Sequence, residues 1–507
     1  MASESRRTHH QVTFAVLAAG VAAYALLQSL VTPVLPTIQA NLHTTQSTVT
    51  WVLTAYLLSA SIFTPIMGRI GDMIGKERVF VATLIALAAG SLLAALASSV
   101  TVMIVARAIQ GIGGGGLMSL AFAIIGDVIP PRERGRYQGL MGAVFGLASV
   151  AGPLLGGWFT DSIGWRWIFY LNLPIGLGAL VVCSFALKLP VNRREHSIDY
   201  LGSAAIVTGV TSLLLYLNWA GTSYGWVSWQ GLLLLGGSVL LTAGFILIER
   251  RAAEPILPMR LFRNPIFSVG NGFGFFAGFA MFGGIIYLPV YLQAVQGMSA
   301  TRSGLGMLPA VAGIMATAIT SGRLMAKTGK YKIYPIVGAV VIIGSLLLLS
   351  TLSNSTAYWQ VALYAFAFGA GLGLTMQTMV TAIQNSVDFR DMGVATASAT
   401  FFRQIGASIG TAIFGTVLTS RLAHYMKQEF AGSPSGSGGA KLDANNVQAI
   451  QHLPAAVKGH VTNAFAHSIG DLFLTGVPFI AIALVFALVL KEKPLATMDP
   501  SAAPPAH

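Results

Sequence analysis

Two segments of the sequence decide its reading: Gly68-Arg69-Ile70-Gly71-Asp72-Met73-Ile74-Gly75-Lys76 and Gly322-Arg323-Leu324-Met325-Ala326-Lys327-Thr328-Gly329-Lys330. Gly, Arg, Gly and Lys recur between them at a single offset of 254 residues. A second echo pairs Arg132-Glu133-Arg134-Gly135 with Arg390-Asp391-Met392-Gly393 at an offset of 258. Two echoes at nearly one offset indicate a chain built from two copies of one unit.

Working outward from these loops, the chain is a series of long apolar runs. About 20 mostly apolar residues cross a bilayer as a helix. On that measure fourteen runs qualify: 12–35, 50–70, 79–98, 101–126, 137–160, 167–188, 199–219, 230–249, 266–292, 303–326, 333–352, 357–381, 394–420 and 467–490. The composition agrees. The 507 residues are 54% hydrophobic and 9% charged, with a mean hydropathy of +0.71. Soluble domains carry about 25% charged residues, so too little polar surface exists here to cover a water-soluble core. The net charge of +13 does not indicate nucleic acid, because the basic residues stand singly between apolar runs and form no patch. The single cysteine, Cys183, excludes a disulfide framework and a cysteine-based metal site. The first apolar run is too long for the core of a cleaved signal and reads as the first span.

An even number of spans puts both termini on one face. With that face cytoplasmic, the inner segments hold 22 Lys and Arg and the outer segments 6, while Arg107 and Arg403 fall inside spans. This asymmetry is the positive-inside pattern of a cell (inner or plasma) membrane protein with both ends cytoplasmic. The expected organisation is a cytoplasmic N-terminus at 1–11, a six-helix bundle at 12–188, two inserted helices at 199–249 and a second six-helix bundle at 266–490. Residues 421–466 are expected to form an outer helical hairpin with a Gly/Ser tip, and 491–507 a disordered cytoplasmic tail. Two six-helix units related by an axis along the membrane normal suit alternating access, with the substrate path between them near the midplane.

The pattern Gly68-x-x-x-Asp72-x-x-Gly75-Lys76-x-Arg78 resembles the loop signature of the major facilitator superfamily. The fifth run reads Gly139-x8-Ala148-x3-Gly152-Pro153-x2-Gly156-Gly157, similar to the antiporter motif of that superfamily's drug exporters. Arg107-Ala108-Ile109-Gln110-Gly111, the string from Trp165 to Gly176, and Phe402-Arg403-Gln404-Ile405-Gly406 resemble the fourteen-span drug:proton antiporter family of the EmrB and QacA type. The resemblance spans nearly the whole chain. It implies the major facilitator fold, export of drugs or metabolites, and a proton gradient as driving force with no bound cofactor. The sequence departs from the pattern at Met73 and Glu77, where basic residues are usual, at Ala148 for glycine, and at Leu27, where many relatives carry aspartate.

The candidate functional residues follow from their chemistry. Asp72 at a helix boundary can cap backbone N–H groups of a following helix and pair with a nearby Arg, locking the halves in one state. Gly68, Arg69, Gly75 and Lys76 belong to the same turn, where the bases also serve as interfacial anchors. Arg107 and Arg403 lie at membrane depth, where a charge costs at least ~2.5 kcal/mol and calls for a cavity or a partner. Gly152, Pro153, Gly156 and Gly157 allow the fifth helix to pack closely and bend. No Asp or Glu falls at the centre of a run, so Asp127 and Asp471, near run ends, are the candidate protonation sites. Gln28, Thr32, Asn271, Gln293 and Gln377 are candidates for the substrate path, with Phe273, Phe275, Phe276, Phe279 and Tyr287 as an aromatic wall.

These features exclude an enzyme, since no HExxH, P-loop or GxSxG stands in a usable context. They disfavour a channel, which needs a ring of intramembrane charge. The partners expected are membrane lipids and a small-molecule substrate. The expected function is proton-driven export of hydrophobic or amphipathic compounds. A lipid or anionic-metabolite exporter and an uncoupled facilitator are the alternatives.

Overall fold

The computed structural model describes residues 2–31, 34–44, 46–129, 131–186, 199–219, 224–252, 255–388, 391–430, 450 and 453–495. Their regular structure is helical. The first half contains α1 (Ala2–Leu30), α2 (Leu35–Asn41), α3 (Gln46–Ile74), α4 (Lys76–Ala95), α5 (Val100–Val128), α6 (Pro131–Ser162), α7 (Trp167–Tyr170) and α8 (Asn172–Ala186). The hairpin α9 (Tyr200–Trp219) and α10 (Trp229–Glu249) follows. The second half contains α11 (Pro265–Ala294), α12 (Ala300–Gly306), α13 (Leu308–Thr328), α14 (Ile333–Leu349), α15 (Tyr358–Ser386), α16 (Met392–Glu429) and α17 (Ala455–Val489).

Among the described residues, ten helices are long and apolar enough to cross a membrane, and three shorter apolar helices run over Trp167–Val181, Leu201–Leu217 and Ile333–Leu349. Leu232, Leu233, Val239 and Leu240 on α10 are all more than half exposed. In water such a face would be costly; against lipid tails it is matched.

The doubled sequence becomes a doubled fold. In the first half α3 and α4 pack on α5, and α1 packs on α6. In the second half α13 and α14 pack on α15, and α11 packs on α16. The contacts between halves obey the same correspondence, α3 meeting α16 and α6 meeting α13. Exchanging the repeats converts one contact into the other, as a pseudo-two-fold axis requires. Gly75 and Gly329 occupy equivalent positions, and both have positive φ, 105° and 71°. An L side chain is strained there, so glycine is needed at each turn.

Several elements depart from the expected runs. The first helix ends at Leu30 rather than 35, before the two prolines Pro33 and Pro36. The run 167–188 divides into α7 and α8 because Pro174 has no N–H to donate to the preceding turn. The run 303–326 divides at Met307, where Pro309 starts a new helix in its first turn. Helices α16 and α17 continue well past 420 and before 467. Beyond the expected ends Glu429 accepts from Asn463 and pairs with His460 at 2.8 Å. The Gly/Ser tip lies outside the described residues.

The disordered tail needs correction at its start. Leu495 is 3% exposed, and its N–H donates to the Gly329 carbonyl at 3.0 Å. The Tyr331 hydroxyl donates to the Lys491 carbonyl and accepts from the Lys493 N–H, each at 3.0 Å. A buried leucine and a satisfied turn hold 491–495 against the second half; 496–507 lie outside the described residues.

Candidate functional site: the cleft between the bundles

The two halves meet tightly at the end that carries the Asp72 turn. A Cβ on Gly68 would lie 2.5 Å from the Ala397 Cβ and 3.0 Å from the Gly393 carbonyl oxygen, and one on Gly393 would strike the Asp72 carboxylate. Glycine at both positions therefore lets α3 reach the first turn of α16. There the Asp72 carboxylate accepts from the Val394 N–H at 2.9 Å. This N–H is one of the unsatisfied donors of a helix start, where the helix dipole also favours an anion. The expected cap on a following helix is corrected here, since the helix that Asp72 caps is α16 of the other repeat. Its cationic partner is Lys76, where an arginine was expected, 3.1 Å away, and Lys76 also reaches Asp127 at 2.7 Å. All three side chains are largely buried, so each charge depends on its partner.

A second contact behind this one was missed from the sequence. Gln138 on α6 donates to the Gln384 Oε1 at 2.8 Å and accepts from the Thr381 hydroxyl at 2.5 Å. Gln384 donates to the Phe122 carbonyl at 3.0 Å and to the Thr396 hydroxyl at 2.9 Å. The network ties α5 and α6 to α15 and α16, and its side chains are fully buried. The available signal was uncharged amide and hydroxyl groups inside apolar runs near the repeated loops. The connection before α11 adds an ion pair, Arg260 to Asp391 at 2.7 Å.

Beyond this seal the halves diverge around a cavity of about 790 Å³. Its walls include Tyr24 and Gln28 on α1, Thr54 to Ser61 on α3, Phe145 on α6, Met281 and Tyr287 on α11, Met376 on α15, and Arg403 to Ser420 on α16. Leu214 on α9 and Trp226, just before α10, complete one side, so the inserted hairpin forms part of the wall. The described surface is mainly apolar, with a few amides, hydroxyls and one formal charge, which suits an amphipathic small molecule.

The expected site residues divide into groups. Gln28, Tyr287 and Arg403 line the cavity. Arg107 is fully buried inside the first bundle, one layer behind it. Its Nε donates to the Val52 carbonyl at 3.0 Å, its Nη1 donates to Gln110 at 2.9 Å, and its guanidinium stacks 4.1 Å from the Tyr56 ring centre. Gln110 passes the chain of bonds on to Ser91 at 2.9 Å.

Gly152 touches Ser29 so closely that any Cβ would collide, and Gly139 sits on the Ala318 backbone. Ser29 donates to the Ala25 and Ala148 carbonyls at 2.8 and 3.2 Å, closing α1 on α6. Gly156 is buried, and α6 stays helical through Pro153. Gly157 corrects the expectation of close packing, since nothing among the described residues lies within 4 Å of the Cβ it lacks. It faces outward, one residue around the helix from the packed stripe. Arg69 lies on the last turns of α3, within electrostatic reach of Glu249.

Asn271, Gln293 and Gln377 are not among the cavity-lining residues. Asn271 donates to the Phe267 carbonyl of its own helix at 2.8 Å, and Gln293 donates to Ser303 at 2.9 Å. Gln377 faces Gly142 on α6. Thr32 lies outside the described residues. Of the aromatic wall only Tyr287 lines the cavity, because Phe279 stacks on Phe479 and Phe276 on Phe486 within the second bundle. Asp471 is far from the seal, accepting from the Tyr425 hydroxyl at 2.9 Å and facing Arg421 Nε at 3.3 Å.

Residues 17–411 match the Major Facilitator Superfamily. An uncharacterised MFS-type transporter of Mycobacterium tuberculosis (strain H37Rv) is 39% identical over 485 residues, covering 96% of this chain and 70% of its own. The multidrug transporter protein MdtP of Bacillus subtilis is 37% identical over 468 residues, covering 88% of this chain and 86% of its own. The solved structure of the proton:xylose symporter XylE has the same fold, with a TM-score of 0.63 at 11% identity over 97% of this chain and 98% of its own. A match of this extent, on a chain whose two helical halves enclose a cleft, makes the protein a member of the Major Facilitator Superfamily and a multi-pass membrane transporter, not an enzyme.

Proposed function

We propose that the protein exports hydrophobic or amphipathic small molecules in exchange for protons. It does so as a fourteen-span carrier of the drug:proton antiporter type, with both termini cytoplasmic. The observation that carries this reading is the large, mostly apolar cavity closed at the Asp72 end. With the Asp72 turn taken as cytoplasmic, in line with the 22 to 6 distribution of Lys and Arg, the cavity faces outward, as in a carrier that has released an exported molecule. The name of MdtP, a multidrug transporter, supports the substrate class.

Coupling has a candidate in the carboxylates around Lys76. Protonating Asp72 or Asp127 removes an anion that holds Lys76, and neutral Asp72 caps α16 more weakly. Proton binding there would loosen the seal and favour the opposite state. A second reading, export of a lipid or anionic metabolite, is favoured by Arg403 and by the lack of Asp or Glu among the described cavity-lining residues.

Uptake into inside-out vesicles tests the proposal. Wild type should accumulate amphipathic dyes and drugs above empty vesicles, faster with an acid-inside gradient, and an uncoupler should abolish the difference. Uptake unaffected by the gradient would identify a facilitator. Equal accumulation of every compound with and without the protein would refute export.

A further inference from the structure

We propose that Arg403 is an oxyanion-binding residue of the cavity, so that the molecules carried have an anionic head group on an apolar body. This deepens the exporter reading and rests on it.

The two arginines at membrane depth differ in one decisive respect. Arg107 is enclosed by a carbonyl, an amide and an aromatic face. Arg403 has no hydrogen-bond or salt-bridge partner among the described residues and lines the cavity. A guanidinium with several fixed donors, kept in a low-dielectric site without an anion of its own, is matched by a planar oxyanion from a ligand. No Asp, Glu or Lys stands among the described cavity-lining residues to compete for it.

The surroundings fit a head-and-tail molecule. Arg403 is the first residue of α16 to reach the cavity and Ser420 the last, so the guanidinium stands at the floor, on the sealed side. The Tyr24 hydroxyl lies within its electrostatic reach, and Gln404 lines the same part of the cavity. Gln28 and Gln404 each keep a buried side-chain oxygen without a partner among the described residues. Leu57, Leu58, Met118, Phe145, Met281 and Met376 offer apolar surface for the body. Gly278 on α11 permits this placement, since a Cβ there would fall 3.0 Å from the Arg403 Cγ.

Equilibrium binding tests the assignment on purified full-length protein. The probes are dansyl-undecanoate and its primary amide, equal in length and differing in charge. Wild type should bind the carboxylate about ten-fold more tightly than the amide, the size of one charge-assisted contact. Arg403→Gln should bring the two affinities within about two-fold of each other, whereas Arg403→Lys, which keeps the charge, should retain most of the preference. Competition with phosphatidylglycerol in mixed micelles separates sources of the oxyanion. Displacement by the lipid where free carboxylate binds poorly assigns the site to a lipid head group, and the reverse assigns it to a soluble amphiphile. Equal wild-type affinities for carboxylate and amide, or a ratio that survives Arg403→Gln, would overturn the proposal. Vesicle uptake of the same two probes keeps the readings apart. Carboxylate that is bound but never moved sinks export and leaves the anion site. Amide and carboxylate moved and bound alike sink the anion site and leave export.

Discussion

Replacing Asp72 by Asn separates the charge of the seal from its shape. The amide retains an oxygen 2.9 Å from the Val394 N–H but gives Lys76 no anion. A hydrogen bond to a charged acceptor contributes about 1.5–3 kcal/mol and a neutral one about 0.5–1.5, so the substitution removes about 1–2 kcal/mol from the sealed state. Lys76 keeps Asp127 at 2.7 Å, which limits the loss to this range. A change of one or two kcal/mol shifts the ratio of sealed to open molecules by roughly 5- to 30-fold. Asp72→Ala should shift it further, because it leaves the Val394 N–H of α16 without its cap. Arg78 and Arg323 are exposed, lie at the sealed end and belong to different bundles, so spin labels at these positions report the separation. With Cys183→Ser as background, wild type should give one short distance and Asp72→Asn a second, longer population. Identical distance distributions for wild type, Asp72→Asn and Asp72→Ala would refute the idea that this carboxylate holds the halves together.

Three further substitutions address neighbouring features. Gln384→Leu removes the Oε1 that Gln138 donates to and the Nε2 that Phe122 and Thr396 accept from, stranding buried groups at about 1–3 kcal/mol each, and should lengthen the same spin-label distance. Gly68→Val places side-chain atoms where a Cβ alone would already lie 2.5 Å from Ala397, so vesicle transport should fall to background while membrane expression persists. Leu495→Glu puts a charge at a buried position of the docked C-terminal segment and should lose at least the roughly 1.5–3 kcal/mol of a buried leucine, lowering the melting temperature in detergent. An unchanged melting temperature would show that residues 491–495 contribute nothing to the second bundle.

Much of this architecture was legible because lipid imposes strict local rules. A crossing segment must satisfy its own backbone hydrogen bonds, so its length and apolarity are written in consecutive residues. The duplication was equally local, as the shared positive φ of Gly75 and Gly329 makes plain. Breaks near Pro174 and Pro309 and the docked Leu495 were less visible, because they depend on one side chain within a long apolar run or beyond its end.

The functional cleft divides along the same line. Gly68 stood out because it repeats at a helix boundary, Asp72 because it is a carboxylate at that boundary, and Arg403 because a charge at membrane depth is costly unless used. That Asp72 caps a helix 322 residues away, that Gln138 meets Gln384 across 246, and that Arg107 is enclosed while Arg403 is not, were decided only by the tertiary structure. In a bilayer the lipid-facing and the protein-facing sides of a helix are both apolar, so sequence periodicity does not say which way a polar side chain turns. That rotation is set by how the helices pack, and with it the difference between a structural arginine and one that faces the cargo.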